Sequence, residues 1–105
     1  MQRCNEKNVY LIEMYEDSFF PKECVDKVKE QLILLELEIG NGKQEIQKLC
    51  DQTIENINDL QDFFEEHESE LESVAAESIG NAINRILERF EINLDIEAAM
   101  RMREW

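Results

Sequence analysis

The side chains through which this chain could act chemically are one histidine, three cysteines and twenty-five acidic residues. Nucleophilic catalysis would need His67 beside a cysteine or serine, but His67 stands among Glu65, Glu66, Glu68 and Glu70 near a helix end, where simple solvation accounts for it. A di-iron bundle places a glutamate three residues before its histidine, and Phe64 occupies that place. Cys4, Cys24 and Cys50 are odd in number and far apart, so they form neither a disulfide framework nor a paired zinc motif. Cys24 and Cys50 fall on apolar helix faces and read as small buried hydrophobes, whereas Cys4 reads as exposed. The acids from Asp51 to Glu55 and from Asn58 to Asp62 lack the glycine of a calcium loop and do not interrupt the helical pattern. Gly40-Asn41-Gly42 lacks the lysine and hydroxyl of a phosphate loop and reads as a helix connector. The sequence thus assigns no catalytic residue, no cofactor and no metal ligand, and the chain reads as a non-enzyme.

Charge is the stronger signal. The formal net charge is −14, and between Leu49 and Asn84 there are ten acids with no lysine or arginine: Asp51, Glu55, Asp59, Asp62, Glu65, Glu66, Glu68, Glu70, Glu72 and Glu77. Direct binding to nucleic acid is disfavoured, because phosphate contacts demand a basic stripe. A face carrying Asp59, Asp62, Glu66 and Glu70 would steer a basic protein partner into place. The plainer reading is a solvated surface that keeps a small protein soluble.

These residues must be positioned by helices. One Pro and three Gly leave little material for the turns of a β fold, and 105 residues suffice for a single domain, residues 1–105. The organising stretch is 43–67, where Ile46, Cys50, Thr53, Ile57, Leu60 and Phe64 recur at helical spacing, with Leu49, Ile54 and Phe63 widening the face. Such breadth calls for neighbours on both sides. Residues 6–16 read as a short helix turning Leu11, Ile12 and Tyr15 inward, with Val9 and Met14 at the edges of that face, although Val-Tyr-Leu-Ile is also good strand material. Pro21 opens a helix over 21–39 with the stripe Val25, Val28, Leu32, Leu35 and Ile39, stopped by Gly40 and Gly42. Ile33, Leu34 and Leu37 lie off that stripe and either cover the first helix or join two subunits in a homodimer.

Ser69 followed by Glu72 matches a capping box opening a helix over 70–90, whose inward face alternates Ala75, Ser78 and Ala82 with Leu71, Ile79, Ile83 and Ile86. Gly80 within it has only a close contact to explain it. Asn93 or Asp95 caps a last helix over 96–104. The expected fold is an all-α antiparallel helical bundle of three longer helices plus a short helix at each terminus. Its core should hold Tyr15, Val25, Val28, Leu32, Ile46, Cys50, Ile57, Leu60, Phe64, Val74, Ile79, Ala82 and Ile86. Asn56, Gln61 and Arg89 fall on or beside apolar stripes, where they either pair across the bundle or reach water. No apolar run approaches the roughly 20 residues that cross a bilayer and the start MQRCNEKN is no signal peptide, so a cytoplasmic location is expected.

Three stretches together resemble a family of small, acidic, uncharacterised bacterial helical proteins, a domain of unknown function. They are Met14-Tyr15-Glu16-Asp17 with Phe20-Pro21 and Val25-Asp26-Lys27-Val28-Lys29; Ile57-Asn58-Asp59-Leu60-Gln61 with Phe64, Glu66 and Ser69-Glu70-Leu71-Glu72; and Asp95-Ile96-Glu97 with Arg103-Glu104-Trp105. The resemblance implies a helical bacterial protein with no established activity. It makes Asp17, Asp26, Lys27, Asn58, Asp59, Glu70 and Glu72 the candidates for any site. Each has a bland role as well: Asp17 to fix a turn, Asp26 to meet the positive end of a helix, Glu72 to complete a cap. Size, charge and helicity suggest a non-catalytic interaction protein that masks a basic partner, as immunity or antitoxin-like proteins do. The alternative is a small enzyme or metal-binding bundle built on the same acidic residues.

Overall fold

The computed structural model describes residues 10–42 and 45–105. Its regular elements are all helices: α1 (Ile12–Glu16), α2 (Lys22–Gly40), α3 (Ile46–Asp59), α4 (Gln61–Glu66), α5 (Ser73–Arg89) and α6 (Ile96–Ala99). They form an all-α bundle measuring 38 × 36 × 18 Å across its Cα atoms. α2 lies along α3, α1 rests on α5, and α6 bridges α3 and α5. Three long bodies with a short helix near each end is the expected architecture.

The stripes read from the sequence are the faces that pack. Val25, Val28, Leu32, Leu35 and Ile39 of α2, Cys50, Ile54 and Ile57 of α3, Phe64 of α4, and Ala75, Ile79, Ala82, Ile83 and Ile86 of α5 are all buried. The small Ala75, Ser78 and Ala82 let other elements approach α5 closely. Gly80 has a similar explanation, since a Cβ there would stand 3.1 Å from Met100 Sδ.

Several expectations need correction. The stretch 43–67 is not one helix: it breaks at Leu60, whose N–H reaches back only to Ile57, and α4 resumes beyond it. Leu60 is half-buried at this joint, as are Tyr15 and Ile46, so these three border the core. Val74 is 36% exposed and lies outside the core, because the buried face of α5 runs through Ala75, Ser78, Ile79, Ala82, Ile83 and Ile86 and Val74 falls at its edge. The first helix begins at Ile12, since Leu11 adopts a left-handed φ of 65°; residues 6–9 of the expected helix, and Cys4, lie outside the described residues. This turn buries Leu11 and Met14 and leaves Ile12 46% exposed. The last helix ends at Ala99 rather than 104, and Asp95 precedes it without a side-chain cap.

The proposed capping box does not form. Glu68, at φ 60°, ends α4: its own N–H bonds the Glu65 carbonyl at 3.0 Å and the Ser69 N–H bonds the Phe64 carbonyl at 2.9 Å. That six-to-one and five-to-two pairing is a Schellman motif, and it turns Ser69 away from α5. The Ser69 hydroxyl instead donates to the Phe19 carbonyl at 2.8 Å, and Glu72 alone caps α5 by accepting from the Val74 N–H at 3.0 Å. α5 ends in the same way at Glu91, φ 56°, with Glu91 bonded to Glu88 and Ile92 to Leu87.

A glutamate in this conformation costs about 1–2 kcal/mol and places negative charge at the negative end of a helix. Glu91→Gly should therefore raise the stability by about 1 kcal/mol, read as a higher urea midpoint at unchanged slope. An unchanged or lower midpoint would mean that the Glu91 side chain makes a contact that outweighs the strain.

Candidate functional site

Four of the seven motif residues, Asp17, Asp26, Lys27 and Asn58, lie at two junctions. At the first, Asp17 closes the turn into α2 by accepting from the Phe19 N–H at 3.0 Å. Asp26 accepts the Tyr15 hydroxyl, tying α1 to α2, with Lys22 Nζ 3.4 Å from its other oxygen. The hydroxyl bond is the main cause that holds the Asp26 carboxyl below its usual range, while burial, and then this bond, push the Tyr15 phenol up. Lys29 Nζ stands 5.5 Å from the Tyr15 ring centroid, and Lys27 Nζ stands 5.7 Å from that of Phe63, joining α2 to α1 and to α4 by cation–π contacts.

The second junction was hidden in the sequence. Asn58 donates to the Met102 carbonyl at 2.9 Å and accepts from the Glu104 N–H at 3.1 Å, while Gln61 reaches the Glu104 carboxylate at 3.2 Å. Further along α3, Gln47 donates to the Ala98 carbonyl at 2.8 Å and Asp51 takes two bonds from Arg101. Gln47 also donates to Asp51 at 3.0 Å, and the bonds from Arg101, then that from Gln47, hold the Asp51 carboxyl below its usual range. The middle and closing motifs of the sequence are thus two halves of one contact, in which the polar edge of α3 grips residues 98–104. Glu72, at the start of α5, belongs to neither junction, and no hydrogen bond or ion pair joins any two of Asp17, Asp26, Lys27, Asn58 and Glu72.

The polar residues that sat on apolar stripes do reach across the bundle. Asn56 donates to Gln31 at 2.9 Å, Gln61 reaches Glu104, and Arg89 pairs with Glu36. Glu36 also accepts the Tyr10 hydroxyl at 2.7 Å, so one half-buried carboxylate on α2 links the segment leading into α1 to the end of α5.

The groups with nucleophilic potential are engaged elsewhere. His67 Nδ1 donates to the Phe63 carbonyl at 2.9 Å, its ring lies 4.5 Å from the Phe63 ring, and Nε2 is 3.7 Å from Glu23. Cys24 and Cys50 are buried; burial pushes both thiols up, that of Cys50 to about 11. Among the described residues no three His, Cys, Asp or Glu side chains gather as a metal-sized group, and no helix is long and apolar enough to cross a membrane.

The acids form a surface. Glu55 and Asp59 stand one turn apart on α3, Asp62 and Glu66 one turn apart on α4, and all four are exposed. None of them, nor Glu70, has an ion-pair partner among the described residues. Glu68 and Glu70 flank Ser69, which is bonded to Phe19, an aromatic residue 41% exposed.

A cavity lies between the start of α1 and the middle of α5, with a volume of about 300 Å³. Glu13 projects into it with Ser78, Asn81 and Arg85, against a wall of Leu11 and Ile12. The Ser78 hydroxyl donates to Glu13 at 2.8 Å and is the main cause that holds the Glu13 carboxyl below its usual range. No local spacing announces this group, because Glu13 and Ser78 stand 65 residues apart.

No curated protein and no solved structure matches the chain. A family model does match over nearly its whole length, including every stretch that forms the two junctions. On that match, residues 4–105, the chain belongs to the family of unknown function DUF5713.

Proposed function

We propose that the protein is a non-catalytic interaction module whose acidic surface engages a basic protein partner. The observation that carries this reading is the set of Glu55, Asp59, Asp62 and Glu66, exposed and without ion-pair partners among the described residues. Like charges one helical turn apart cost about 0.2–0.5 kcal/mol per pair, and nothing in the described fold offsets them. A basic surface would do so on binding, with Asp59, Asp62, Glu66 and Glu70 at its centre. The engagement of His67 with its own helix and the burial of both described cysteines support a role without catalysis. Masking of such a partner, in the bacterial cytoplasm, completes the proposal.

The test is a pulldown from the native host at low salt, followed by charge reversal. Asp59, Asp62, Glu66 and Glu70 all replaced by lysine should slow association at least tenfold, while the thermal midpoint stays level or rises. Binding that neither weakens with salt nor responds to these changes would remove the reading. Retained metal after dialysis, with no partner recovered, would favour a metal-binding bundle instead.

A two-fold pairing through Ile33, Leu34 and Leu37 is part of the proposal. Leu34 and Leu37 are 50% and 56% exposed and do not cover α1. A mass that stays monomeric across concentrations in light scattering would exclude it.

A further inference from the structure

The cavity between α1 and α5 carries opposite charges that do not neutralise each other. Ser78, Asn81 and Arg85 succeed one another at three and four residues, so they line one face of α5 along the cavity. At the Ser78 end the Glu13 carboxylate is fixed by the hydroxyl at 2.8 Å. At the other end Arg85 has no ion pair with Glu13, and no hydrogen-bond or ion-pair partner among the described residues. Its field nevertheless reaches Glu13 and helps keep that carboxyl ionised. Asn81, between them, also has no side-chain partner among the described residues. Leu11, Ile12 and Ala82 give the space an apolar wall.

This arrangement selects its ligand by charge. A simple anion would be repelled by Glu13 on a chain of net charge −14, and a simple cation would be repelled by Arg85. A molecule bearing both charges a few bonds apart satisfies both ends. The volume of about 300 Å³ lies at the small end of ligand pockets and suits a compact molecule. We propose that this cavity binds a small zwitterion of the α-amino-acid class, its ammonium on Glu13, its carboxylate on Arg85 and Asn81, and an aliphatic side chain on Leu11, Ile12 and Ala82. The interaction surface on α3 and α4 is separate, and the proposal does not depend on it.

Calorimetric titration of the full chain with L-leucine tests this, alongside leucinamide, which lacks the carboxylate, and N-acetyl-leucine, which lacks the ammonium. Leucine should bind saturably with a Kd of about 1 mM or tighter, and each blocked form at least tenfold more weakly. Glu13→Gln retains an acceptor for Ser78 and Arg85→Gln changes an exposed side chain, so both variants should keep the helical circular dichroism of the parent. Each should weaken leucine binding at least tenfold. Absence of saturable leucine binding to the parent overturns the proposal, as does equal binding of the blocked forms or undiminished binding by both variants.

Discussion

Phe64→Ala should cost about 3–5 kcal/mol, a large part of the 5–15 kcal/mol that holds a domain of this size together. Phe64 is the largest fully buried side chain, and it fills the core just beyond the joint at Leu60. Truncation loses its transfer free energy and leaves a void that the two flanking helices can close only by changing the angle at that joint. Urea unfolding of parent and variant measures the loss. Leu60→Ala is the matched control: the side chain is half-buried, so its loss should be clearly smaller. Equal losses would mean that the joint, and not the core beneath it, carries the stability.

Glu36→Ala should cost about 1–3 kcal/mol, because it strands the hydroxyl of a buried tyrosine. The carboxylate serves two donors, Tyr10 and Arg89, and the consequences differ. Arg89 is exposed and returns to water at little cost. Tyr10 cannot, since 3% of its surface is accessible. Adding Tyr10→Phe removes the stranded group and should recover much of the loss, with a coupling of about 0.5–3 kcal/mol in the double-mutant cycle. Additive losses would show that Tyr10 finds water or another acceptor once Glu36 is gone.

The sequence made the packed faces visible because burial imposes a period. Val25, Val28 and Leu32, and Ile79, Ala82 and Ile86, stand where that period puts them. It concealed the helix ends for a specific reason. Glu68 and Glu91 do the work of glycines, and a glutamate in a run of acids carries no sign of left-handed backbone. Missing the turn at Glu68 made Ser69 look like a cap; the left-handed Leu11 likewise moved Met14 from the edge of the first helix into the core and Ile12 out of it. Asp17 could be read because its partner lies two residues away; Glu72 could be placed at the start of α5, but as the cap itself and not as the partner of Ser69. Asn58 and Glu13 could not, since their partners are 44 to 65 residues distant and no pattern in one sequence pairs them.

The attachment of α1 sets an order of events in time. α2 and α3 adjoin both in the chain and in space, so they can dock with little loop to close, whereas Glu13 must find Ser78 across 65 residues. A helix of five residues has little stability of its own. It should dock late and leave early, and the amides of Met14 and Tyr15, bonded to the Leu11 carbonyl, should exchange with solvent through partial openings that leave α2 and α3 closed. The cavity exists only while α1 is docked on α5, so its lifetime is that of this docking.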